Sequence, residues 1–228
     1  MTEADTERTG THARLATYGR TLDPGPGGST FPLILVVGRE PSYTATHLVN
    51  TIGRYDFDAP RVQFWNVAYA KLAGVVGADW RELQRRCRDR RASPVLFGDA
   101  LPITHRYGMP DVGRRRAAIP LEEIESHVEA TFALYEGTER MAALWLAGHL
   151  AGARGPKQAC LNLEHSNACY RRLADERQLP VLDTMALTWI NSPRIDAALE
   201  SAPLARQALE CTLRAFDPAW PLTLKQVA

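Results

Sequence analysis

The chain has 228 residues, enough for one sizeable core and short for two. Its 45% hydrophobic and 23% charged content is that of an ordinary globular domain, and a net charge of +1 does not by itself mark a nucleic-acid binder. No stretch reaches the roughly 18 consecutive apolar residues of a membrane span. The start Met1-Thr2-Glu3-Ala4-Asp5 lacks the basic-then-apolar pattern of a secretory signal, so a cytoplasmic location and no membrane partner are expected.

In chain order, residues 1–29 form a polar arm ending in Asp23-Pro24-Gly25-Pro26-Gly27-Gly28, a turn-rich lead-in. Residues 30–228 are expected to form a single domain. The apolar, β-branched run 31–37, stopped by Gly38, predicts a buried strand of a parallel sheet. Residues 64–72 carry apolar side chains at helical spacing. In the arginine-rich segment 81–91, Arg81, Arg85, Arg86, Arg88, Arg90 and Arg91 form either a phosphate-contacting patch or a solvated helix face. Further strands are predicted at 94–97, 142–147, 159–163 and 181–185. Arg114, Arg115 and Arg116 form a second basic knot. A helix over 119–135 is announced by Pro120 and the acidic Glu122 and Glu123. Residues 167–177 and 195–216 read as the last two helices. This alternation predicts a three-layer α/β/α sandwich around a central, mostly parallel sheet.

Ligands of such sheets sit beyond the carboxyl ends of the strands. The polar residues that follow the apolar runs are Gly38-Arg39-Glu40-Pro41-Ser42, Gly98-Asp99-Ala100 and Glu164-His165-Ser166-Asn167. Two carboxylates and a histidine on one rim suffice for acid/base hydrolysis. Cys87, Cys160, Cys169 and Cys211 are widely spaced with no C-x-x-C pair, which argues for buried thiols and against a metal or iron–sulfur centre.

In this order the motifs resemble those of the uracil-DNA glycosylase superfamily, and most of all its mismatch-specific uracil/thymine branch, over about residues 31–216. Gly38-Arg39-Glu40-Pro41 is similar to the Gly-x-(Asp/Asn)-Pro motif after the first strand. Phe64-Trp65 is similar to the Phe-Trp pair that opens the next helix, Leu96–Leu101 to the base-reading segment, and Glu164-His165-Ser166-Asn167 to the late His-Pro-Ser motif. The sequence departs from the pattern in Glu40 for Asp or Asn, in Asp99 for a base-reading Asn, and in the missing proline beside His165.

The resemblance implies a monofunctional DNA glycosylase that flips out a pyrimidine and hydrolyses its N-glycosidic bond, leaving an abasic site. Glu40 would stabilise the sugar cation and orient water, and His165 would donate to the base O2. Phe57, with Tyr55 as runner-up, would stack on the flipped ring, and Gly38 would also bind the base. An ionised Asp99 accepts but does not donate, which suits the 4-amino group of cytosine. Strict uracil enzymes place a bulky Tyr where this chain has Ser42, and a serine leaves room at C5 of the base. The substrate expected is therefore a C5-modified cytosine, as in members that excise such bases from phage DNA in antiviral defence. Ser166, Asn167, Tyr170 (as a wedge), Arg171, Arg114 and Arg115 would contact DNA. DNA is the expected partner, with no obligate protein partner and no cofactor. The alternatives are a uracil or mismatched-thymine repair enzyme and a catalytically silent DNA-binding module. A nucleotide-binding doubly wound protein is disfavoured because the Gly-rich stretch at 25–28 precedes the first strand.

Overall fold

The computed structural model describes residues 33–40, 42–43, 63–81, 83, 95–103, 105–106, 110–136, 141–147, 157–184 and 192–216. The polar arm 1–29, Tyr55, Phe57, Pro41 and most of the arginine-rich segment lie outside these residues.

In chain order the elements are β1 (Leu33–Gly38), β2 (Ser42–Tyr43), α1 (Gln63–Val76), β3 (Val95–Asp99), β4 (His105–Arg106), α2 (Val112–Ala117), α3 (Leu121–Glu136), β5 (Met141–Leu146), α4 (Lys157–Glu176), β6 (Val181–Asp183), α5 (Pro193–Glu200) and α6 (Pro203–Phe216). The main sheet has four strands in the order β3-β1-β5-β6, all parallel. β2 and β4 form a separate two-stranded parallel pair. The fold is α/β.

The strands are apolar on both faces because helices pack against both. Ile34 and Val36 join Ala143 and Trp145 in one apolar cluster with Tyr69 and Leu72 of α1, Ile195 of α5 and Leu209 of α6. The alternate residues Leu35 and Val37 join Leu144 and Leu146 in a second cluster with Ile124, Val128 and Phe132 of α3 and Leu163, Tyr170 and Leu173 of α4. Trp145 is buried with its indole N–H donating to Thr184 Oγ1 at 2.9 Å, which ties the end of β6 to β5. No helix among the described residues is long and apolar enough to cross a membrane.

Four predicted strands occur where expected, but the fifth does not: residues 159–163 belong to the single 20-residue helix α4, which also absorbs the helix predicted at 167–177. The whole segment, KQACLNLEHSNACYRRLADE, has no Gly, Pro, Val, Ile or Thr. Its residues are mostly good helix formers, and nothing in it punctuates the helix. The helix predicted over 195–216 is in turn two helices, broken at Ser201-Ala202 before Pro203. Pro203 has no N–H to donate and disfavours helical geometry at Ala202, yet it suits the first position of a new helix. α3 follows Pro120 and carries Glu122 and Glu123 in its first turn, as the helix-entry chemistry predicts. α1 ends at Gly77, whose φ of 69° is a conformation glycine adopts without a Cβ penalty.

Candidate functional site

The chain leaves β1 for α1, which packs with the first cluster, and leaves β5 for α4, which packs with the second. The connections thus diverge to opposite faces of the sheet, and strand order reverses between β1 and β5, the point beyond whose carboxyl ends such sheets bind ligands. Gly38-Arg39-Glu40 emerges beside this point. Gly38 pairs in register with Asp99 at the end of β3, so Glu40 and Asp99 stand on adjacent strand ends. Ala100 N donates to Gly38 O at 2.9 Å and Leu101 N to Arg39 O at 3.0 Å, extending the pairing past both strands.

Glu40 is the best-defined polar group of this rim. Its side chain is 1% exposed and its Oε1 accepts from Arg116 Nη2, itself 5% exposed, and from Arg39 Nε at 3.2 Å. Arg116 comes from α2, whose carboxyl end is held by Asn162 of α4: Asn162 Nδ2 donates to Arg116 O at 2.7 Å and to Ile119 O at 3.0 Å. Among the described residues, Arg116 Nε has no hydrogen-bond partner although it is buried.

The Asp99 side chain is half-buried. Its carbonyl oxygen accepts from His127 Nε2 at 2.8 Å and from the Tyr170 hydroxyl at 3.0 Å. The first bond fixes the proton of His127 on Nε2, since a carbonyl only accepts. Ser166 Oγ donates to Ala100 O at 2.6 Å. Asn162, Ser166 and Tyr170 recur every four residues, so they share one face of α4 and together hold α2 and the turn after β3.

At the far end of the sheet, Asp183 closes β6. Its Oδ2 accepts from Asn167 Nδ2 at 2.9 Å and from Arg171 Nη2. Asn167 Oδ1 is buried without a hydrogen-bond partner among the described residues.

The sequence-based site is therefore brought together in part. Gly38, Glu40 and Asp99 lie at the ends of adjacent strands, with the Glu40 carboxylate turned to Arg116. His165 does not follow a strand: it lies mid-helix in α4, with Nε2 2.9 Å from Glu125 Oε1 of α3. The late-strand placement of the Glu164–Asn167 motif is thereby corrected. Ser166 and Tyr170 are fully buried with their hydroxyls committed to backbone carbonyls, so neither is a phosphate ligand or a wedge into DNA. Asn167 is a buried mid-helix residue bonded to Asp183 and caps nothing. Arg171 is half exposed and paired with Asp183. Arg114 is exposed on α2, and Arg115 sits 3.6 Å from Asp111 one turn back. Ser42 lies in β2, paired with His105 of β4. Phe64-Trp65 falls in the first turn of α1.

The residues missed in the sequence are Arg116, His127, Asn162 and Asp183. Arg116 stands in a run of three arginines that reads equally as a phosphate contact or a solvated face, and nothing local marks it as the buried partner of Glu40. Asn162 was masked by the apparent strand around it, although the Asn-x-x-x-Ser-x-x-x-Tyr spacing is a legible helical face. Compared with known protein families, with curated proteins and with solved structures, the chain matches none.

Proposed function

We propose that this chain is a DNA glycosylase that removes a C5-modified cytosine, as from invading phage DNA, with the three-layer α/β/α architecture of the uracil-DNA glycosylase superfamily. Two apolar clusters on opposite faces of one parallel sheet support the architecture. The observation that carries the activity is the Glu40 carboxylate at the switch point of the sheet, one strand from Asp99. A carboxylate so placed can face the C1′ of a flipped nucleotide, where positive charge develops as the base departs. Asp99 on the adjacent strand end suits the amino edge of cytosine. His165 has no part in this reading, because its ring nitrogen faces α3.

One observation favours the silent DNA-binding module: Glu40 is clasped by Arg116 in a buried ion pair, the arrangement of a structural carboxylate. The two readings separate in one assay. Labelled DNA carrying uracil, mismatched thymine, cytosine or C5-modified cytosines is incubated with the protein, then treated with alkali to break abasic sites. We expect cleavage at bulky cytosine derivatives, with Glu40→Gln binding that DNA while its turnover falls by at least about a hundredfold. Cleavage of uracil or mismatched thymine alone would keep the enzyme and reject the assignment of Asp99. Binding without cleavage of any substrate would establish the module.

A further inference from the structure

We propose that Glu125 of α3 and His165 and Cys169 of α4 form a binding site for a divalent transition metal, with Zn²⁺ the ion its donors suit. The inference goes beyond the glycosylase reading and does not depend on it. The three ligand atoms lie within 4.8 Å of one another. His165 and Cys169 are four residues apart on one helix, so both present to the same side, and Glu125 meets them from the neighbouring helix. One atom, His165 Nε2, faces both others, at 2.9 Å from Glu125 Oε1 and 3.7 Å from Cys169 Sγ.

Zinc bonds of about 2.0–2.3 Å place tetrahedral ligand atoms about 3.3–3.7 Å apart. The His165–Cys169 separation of 3.7 Å is already at that value. Glu125 supplies the adjustment: its side chain is the most exposed of the three at 48%, whereas His165 is 29% exposed and Cys169 is buried. A thiolate, an imidazole and a carboxylate form the mixed S/N/O set that zinc accepts, leaving the fourth position to water.

The surrounding charge favours a dication. Glu125 and Glu129 stand one turn apart on α3, with Arg172 Nη2 3.9 Å from Glu129 Oε1. Binding breaks the S–H bond and forms S–Zn, the proton leaves to solvent, and the imidazole hydrogen moves from Nε2 to Nδ1 to free the coordinating lone pair. The bound ion would clamp α3 to α4, the two helices whose His127, Ser166 and Tyr170 hold the turn after β3.

The test uses the full chain, reduced without thiol reagents and titrated with Co²⁺, then Zn²⁺. We expect one cobalt per chain, a thiolate-to-cobalt absorption band with tetrahedral ligand-field intensity, and displacement by Zn²⁺. Cys169→Ser should abolish the band and Cys160→Ser should retain it. Glu125→Gln, at an exposed position that folding tolerates, should weaken affinity at least about tenfold, since even residues that only support a metal ligand are worth about 10–100-fold. In the unaltered chain Zn²⁺ should slow alkylation of Cys169, read by mass spectrometry of its peptide. A cobalt complex with no thiolate band, a band that survives Cys169→Ser, unchanged affinity in Glu125→Gln, or alkylation indifferent to Zn²⁺ would each overturn the site.

Discussion

Arg116 and Glu40 illustrate how one contact reassigns a residue. As the last of three consecutive arginines, Arg116 looks like a phosphate contact. In the fold it is the buried partner of the Glu40 carboxylate. Removing one member of such a pair strands the other charge in a low-dielectric site, at a cost of about 3–5 kcal/mol. Arg116→Ala should therefore lower stability by that amount in urea unfolding, and Glu40→Gln by a comparable amount, since it leaves the always-charged guanidinium buried without a counter-charge. Arg114→Ala, two residues away and exposed, should leave stability within about 0.5 kcal/mol. Tyr170 makes a second residue-scale prediction. Burial, with a smaller contribution from the nearby Asp99 charge, raises its phenol above the ordinary value, against a lowering hydrogen bond with Thr131. The folded state thus holds the proton more tightly than the unfolded chain. The stability this contributes is whole below about pH 10 and is lost as pH rises beyond it. Tyr170→Phe should cost about 0.5–1.5 kcal/mol near neutrality through the lost bond to Asp99 O. It should also flatten the alkaline decline, measured as urea midpoints at about pH 8 and about pH 10.5.

Among the elements, α4 decides most about the rim. Its 20 residues were divided in the sequence reading between a strand and a helix because Ala159-Cys160-Leu161-Asn162-Leu163 is mostly apolar over five residues. A short apolar run cannot separate a buried strand from a buried helical turn by periodicity alone. The distinguishing signal lies at a longer range: no punctuating Gly or Pro, no β-branched residue, and polar anchors at 162, 166 and 170 on one face. The strands at β1, β3, β5 and β6 were legible because each is bounded by such punctuation or rich in β-branched residues. Asn162 is the element's hinge to α2. Its amide donates to the backbone carbonyls of Arg116 and Ile119, and an alanine at that position would remove both bonds. Asn162→Ala should destabilise by about 1–3 kcal/mol, and Asn162→Asp by more, since a carboxylate would face those same carbonyl oxygens. Thermal unfolding followed by circular dichroism at 222 nm, the standard helix wavelength at about the minimum of the α-helical spectrum, orders the two variants.

At the scale of the molecule, the near-neutral charge sets what a DNA partner would feel. With a net charge of +1 there is no global field to draw in a polyanion, so binding would depend on local exposed cations. Arg114 is such a cation, whereas Arg116 is spent inside the fold. If Arg114 meets a phosphate, Arg114→Ala should weaken binding about equally across DNA sequences and reduce the salt slope by about one, measured by fluorescence anisotropy at several salt concentrations. An unchanged slope would remove Arg114 from the interface. The sequence by itself determined the class of fold and the carboxyl-end position of Glu40 and Asp99, because strand runs and the polar residues that end them are local patterns. Only the tertiary structure decided which side chains meet there. Glu40 pairs with Arg116 from 76 positions away, and His165 turns to Glu125 from 40 positions away. Such partners are chosen by how helices dock on the sheet, and that docking is carried by two apolar clusters assembled from every part of the chain.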